Sequence, residues 1–137
     1  MTALDLAVAR LAVEEGFRAT AYRDSVGRLT IGYGFNVDAG ITEPAARALL
    51  GAQAEQVMQQ LAAYWWWPNL DDVRASVVVD LAFNLGVAGL LHFPKMLAAI
   101  GAKDWSTAHD ELLNSDAAHM LPKRYAALAD ILVSGNP

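Results

Sequence analysis

Apolar residues at Leu4, Val8, Leu11 and Ala12 recur at helical spacing, and Gly16 stands where such a helix stops. The pattern predicts a first helix ending at about Glu15. It then changes character. The run Tyr22-Arg23-Asp24-Ser25-Val26-Gly27-Arg28-Leu29-Thr30-Ile31-Gly32 sets turn residues between two groups of β-formers, which predicts a hairpin. Gly32 and Gly34 predict bends or close backbone approaches just beyond it. Thr42-Glu43-Pro44 supplies a cap, an acid and a proline for a helix start, and a long helix or helix pair is predicted to about Tyr64. Trp65-Trp66-Trp67-Pro68-Asn69 breaks that run. A strongly apolar helix opens at Leu70 or Asp71 and closes at Gly86. Short segments at 89–92, 94–100, 105–113 and 122–133, bounded by Gly, Pro, Asn or Asp, predict small helices clustered around it.

The fold class that follows is α+β and mostly helical, with a small β-hairpin lobe and a helical lobe. A length of 137 residues with 55% apolar content suffices for one cored domain, 1–137. Its lobes are drawn at 15–60 for the hairpin part and at 1–14 with 70–137 for the helical part. No repeat or low-complexity linker separates them.

Composition narrows the possible functions. The absence of cysteine removes disulfide and thiolate chemistry. A net charge of −5 and a pI near 5.0 disfavour nucleic acid and a polybasic membrane anchor. The apolar tract 75–91 is interrupted by Asp80, Asn84 and two glycines, which fits a buried helix better than a membrane span. The first 13 residues, carrying Asp5 and Arg10, are too short and mixed for a secretory signal, so no stable membrane anchor or self-directed export is expected. His92, His109 and His119 lack the close pairing of a zinc site, and Gly32-Tyr33-Gly34 has no phosphate-cradling partner motif, so neither metal nor cofactor is expected.

The residues that suggest chemistry are Glu15, Asp24 and Thr30. Glycoside hydrolysis needs one carboxylic acid kept protonated for the leaving oxygen and a second kept ionised to activate water or attack carbon. Glu15 stands at a predicted helix C-terminus, where the macrodipole opposes ionisation, and Phe17 and its apolar neighbours are expected to desolvate it. Asp24 stands in a polar turn beside Arg23 and Ser25, which favours the charged form. Thr30, across the hairpin from Asp24, offers a hydroxyl to hold a water by one donor and one acceptor bond. Each also has an ordinary reading, as a solvated helix end, a turn former and a strand residue.

The segment from Glu15-Gly16 through Tyr22-Arg23-Asp24 and Gly27 to Thr30-Ile31-Gly32-Tyr33-Gly34 resembles the active-site segment of the T-even phage lysozymes, glycoside hydrolase family twenty-four. The resemblance continues in Leu70-Asp71-Asp72-Val73-Arg74-Ala75 and Phe83-Asn84-Leu85-Gly86, and more faintly in Pro122-Lys123-Arg124. It implies a lysozyme-like two-lobe fold with a cleft between the lobes. It also implies a muramidase that cuts the β-1,4 bond between N-acetylmuramic acid and N-acetylglucosamine with inversion and without a cofactor. Glu15 would be the general acid, and Asp24 with Thr30 would position and activate water, the carboxyl groups standing about 6.5–9.5 Å apart. Tyr22, Gly34, Phe83, Asn84 and Arg124 are the implied substrate contacts, with Arg124 also pairing with Glu15.

The same resemblance implies bacterial peptidoglycan as partner, a monomer, and a phage or prophage origin. The protein would wait in the host cytoplasm until a holin-type partner released it to the cell wall. A non-catalytic wall-binding module or virion tail component of the same fold is the alternative. Two departures stand out: Phe35 where the T-even enzymes carry histidine, and Ala117-Ala118-His119-Met120 where they carry a Trp-Tyr pair. Tyr64-Trp65-Trp66-Trp67 suits sugar stacking or a membrane-touching tip, and equally the packing of a helix junction.

Overall fold

The computed structural model describes residues 1–137: seven α-helices and one three-stranded antiparallel sheet, a mostly helical α+β protein as predicted. By contact the chain divides into two units, Met1–Ala48 and Leu49–Pro137.

In the first unit, α1 (Ala3–Glu15) opens on a capping box. The Thr2 hydroxyl accepts the Asp5 N–H at 3.1 Å, and the Asp5 carboxylate accepts the Thr2 N–H at 2.9 Å. The helix ends at Glu15, where the sequence places its end, and the Gly16 N–H closes on the Ala12 carbonyl. Strands β1 (Arg18–Arg23) and β2 (Leu29–Gly32) form the predicted hairpin, with Tyr22 facing Thr30, Arg23 facing Leu29 and an irregularity between Arg18 and Tyr22. The pattern missed β3 (Phe35–Asn36), whose two residues pair with Ile31 and Thr30. Thr30 is the one buried residue of this unit, and no large apolar side chain in it is buried.

The chain enters the second unit within α2 (Glu43–Leu61). A single 3₁₀ turn at Trp67–Asn69 follows, then α3 (Asp72–Leu90), α4 (Pro94–Gly101), α5 (Trp105–Leu113), α6 (Asp116–Met120) and α7 (Pro122–Ser134). Val77, Val78, Leu81 and Ala82 of α3, Met96 and Ile100 of α4, Leu112 of α5, and Tyr125 and Leu132 of α7 belong to one buried cluster. Burying the valine, leucine, isoleucine and methionine side chains among them contributes roughly 1.5–3 kcal/mol each. Gly86 does interrupt α3: its φ of 76° and ψ of 157° are not helical, and the chain regains helix only for the last turn before Leu91.

Helix junctions are closed by polar and aromatic groups. Asp71, Asp104 and Ser115 cap α3, α5 and α6 by accepting N–H bonds at 2.9, 3.1 and 3.1 Å. Arg74 donates to the carbonyls of Leu132 and Val133 near the end of α7 and lies 4.3 Å from the Trp105 ring centre. Trp66 is buried and stacks on Tyr64 at 5.6 Å, with Trp67 edge-on at 6.4 Å, so the aromatic run packs a helix junction. Trp65 is exposed and leans on Gly101, where a Cβ would collide with its ring.

Candidate active site

Glu15 is the last residue of α1, and its carboxyl group lies over the bare backbone of Gly34. A Cβ at position 34 would stand 2.6 Å from Oε2 of Glu15 and 3.3 Å from its Cδ, and Gly34 has a φ of +75°. Both the space and the backbone therefore call for glycine. The close approach predicted at this glycine is thus to Glu15. The desolvating wall expected from Phe17 is not there: Phe17 is itself exposed and packs on Tyr33 with ring centres 5.5 Å apart.

Asp24 opens the hairpin turn. Its N–H donates to the Arg28 carbonyl at 3.0 Å, and its own carbonyl accepts from Gly27 at 3.0 Å. Its Oδ1 accepts the N–H groups of Arg28 at 2.8 Å and Val26 at 3.0 Å, while Oδ2 accepts Nε of Arg28 at 3.2 Å. The Arg28 N–H, assisted by the Val26 N–H and the guanidinium, holds the carboxyl below its ordinary range against a smaller opposing effect of partial burial. The turn thus favours the anion, but through Arg28. Arg23, the neighbour expected to help, donates to the Gly27 carbonyl at 3.1 Å.

Thr30 faces Tyr22 rather than Asp24, and its hydroxyl donates to the Arg28 carbonyl at 2.9 Å. The expected pair of water contacts, one donor and one acceptor, is corrected by that bond. The proton is spent inside the hairpin, and the oxygen keeps only acceptor capacity. Tyr22 is half-buried, with the Arg18 guanidinium 4.5 Å from its ring centre.

The remaining candidates lie in the second unit. Arg124, given to Glu15 by the sequence comparison, has Asp80 as its partner: Nη2 and Nε donate to one Asp80 oxygen at 2.7 and 3.2 Å. The reason is local, since α7 packs along α3 and sets the two charges side by side. Asn84 accepts the Tyr125 hydroxyl at 2.8 Å, and burial raises the pKa of that phenol, which keeps its proton available for the bond. Phe83 is exposed in a groove of about 340 Å³ with Val57, Val87 and the amides of Gln53, Gln56 and Gln60. A larger cavity of about 490 Å³, edged by His92, Lys95, Glu111 and Asp116, contains none of the residues nominated from sequence.

The structure therefore brings together Glu15 with Gly34, and Asp24 with Thr30 through Arg28, all inside Met1–Ala48. Sequence reasoning missed Arg28. The available signal was an aspartate opening a turn with an arginine four residues on, where backbone and side chain both return to the carboxylate.

A helix closing on a glutamate, followed at once by a hairpin that fixes an ionised aspartate near a threonine, in a mostly helical α+β chain, is the architecture of the small phage-type lysozymes. Comparison agrees: the sequence model of the family described as Phage lysozyme matches residues 12–128. The chain therefore belongs to the phage lysozyme family. A protein of Dictyostelium discoideum described as "Probable T4-type lysozyme 1" is 30% identical over 69 residues, a match covering 50% of this chain and 41% of that relative.

Proposed function

We propose that this protein is a muramidase that hydrolyses the β-1,4 bond between N-acetylmuramic acid and N-acetylglucosamine in bacterial peptidoglycan. The observation that carries the reading is the pairing, in one short segment of a phage lysozyme family member, of an acid at the end of α1 with a hydrogen-bonded aspartate anion in the hairpin turn. Glu15 gives its proton to the leaving glycosidic oxygen as the bond from the anomeric carbon breaks. Water forms the new bond to that carbon and passes its proton to Asp24, while Thr30 accepts the water's other O–H. Solvent then returns a proton to Glu15 and takes the one held by Asp24, which restores both groups. Phe83 and the glutamine amides beside it suit a neutral sugar face and its acetamido groups.

The biological setting in this reading is lysis of a bacterial host by a phage or prophage. The protein acts as a monomer, held in the host cytoplasm until a holin-type partner gives it access to the wall. The test is digestion of purified peptidoglycan. New muramic acid reducing ends, first appearing as the α anomer, are expected from the wild type, with at least about a hundredfold slower release from Glu15→Gln. The alternative, a wall-binding module without hydrolysis, would sediment with peptidoglycan and release no reducing ends in either form.

A further inference from the structure

Arg28 contacts both halves of the water-activating pair, and no role follows for it from the proposed reaction alone. Four hydrogen bonds converge on this residue. Its N–H and its Nε hold the two oxygens of Asp24 separately, at 2.8 and 3.2 Å. Its carbonyl accepts both the Asp24 N–H, at 3.0 Å, and the Thr30 hydroxyl, at 2.9 Å. We propose that Arg28 is a positioning residue for the hydrolytic water: its guanidinium fixes Oδ2 of Asp24, and its carbonyl turns Thr30 into a pure acceptor. The proposal rests on the muramidase reading above.

The chemical consequence lies in the orientation of the water. With the Thr30 proton directed to the Arg28 carbonyl, Thr30 accepts from water and gives nothing back. Oδ1 of Asp24 already receives two backbone N–H groups, and Oδ2 receives only Nε, so Oδ2 has the greater free acceptor capacity. A water donating one O–H to Oδ2 and the other to Thr30 has both protons engaged and its lone pairs turned outward, as attack on carbon requires. The three bonds made by the Arg28 backbone persist whatever side chain stands at position 28. The guanidinium contact does not, which allows it to be tested separately.

The pair is partly exposed, with 61% of the Arg28 side chain open to solvent, so its effect is modest and screened by salt. Arg23, the other cation of the turn, bonds the Gly27 carbonyl and not the carboxylate, and serves as a charge-matched control. Arg28→Ala is expected to lower kcat about fivefold with little change in KM, and to move the acid limb of the pH profile upward. Arg28→Lys restores part of the rate, and Arg23→Ala leaves the acid limb in place. Carbon NMR of the Asp24 carboxyl gives an activity-independent readout: its titration moves to higher pH in Arg28→Ala. An unmoved titration, or equal effects of Arg28→Ala and Arg23→Ala, overturns the positioning role. A folded wild type that releases no reducing ends overturns the hydrolase reading itself, whatever the titration shows.

Discussion

Met1–Ala48 holds Glu15, Asp24 and Thr30 and buries no large apolar side chain, whereas Leu49–Pro137 holds the buried apolar cluster and none of the three. The first unit sets its geometry with hydrogen bonds: a capping box on α1, short strand ladders, and the bonds that converge on Arg28. The second sets its geometry by packing α3, α4, α5 and α7 around shared side chains. The contrast sets directional contacts around the candidate site and non-directional burial in the apolar core. Local opening is expected to be easier in the first unit, where backbone bonds lie near solvent.

If that division holds, damage to each unit should register in a different assay. Leu81→Ala removes a fully buried side chain of α3 and is expected to cost about 2–5 kcal/mol in urea unfolding, with turnover of the remaining folded protein little changed. Gly34→Ala should do the reverse. A Cβ there displaces the Glu15 carboxyl, and turnover is expected to fall about tenfold or more. Stability should drop only on the order of 1 kcal/mol, for a non-glycine residue at positive φ.

A smaller effect sharpens the comparison within the second unit. Asp71→Ala removes the α3 cap and the 2.6 Å ion pair to Arg74, and a loss of about 1 kcal/mol by thermal or urea melting is expected, with turnover unchanged. The Arg74 N–H is the largest of the contacts that depress the Asp71 pKa. A depressed carboxyl pKa adds stability above the ordinary carboxylate range, and that stability disappears as pH falls through the folded value. The wild type should therefore lose more stability than Asp71→Asn between neutral and acid pH.

Much of this arrangement was legible in the residues. The end of α1 at Glu15 follows from Gly16, the hairpin from its turn residues, and the limits of α5 from the flanking Asp104 and Asn114. What escaped depends on contacts that local pattern does not encode. Strand β3 is two residues long and exists only because β2 offers Thr30 and Ile31 as partners. α6 spans five residues around a serine cap, too short for periodicity to register. The partner of Arg124 lies 44 positions away on another helix. For Thr30, two residues of register separate facing Asp24 from facing Tyr22, a shift that keeps every side chain on the same face and so leaves no mark in the alternation of the hairpin sequence.

Kinetics of Glu15→Gln, Asp24→Asn and the double variant on purified peptidoglycan test the central claim most directly, because an acid and a base serving one bond cleavage act as a unit. A double variant no slower than the worse single one, with all three folded, is the expected result. Losses that multiply, or full activity in either single variant, would contradict the account.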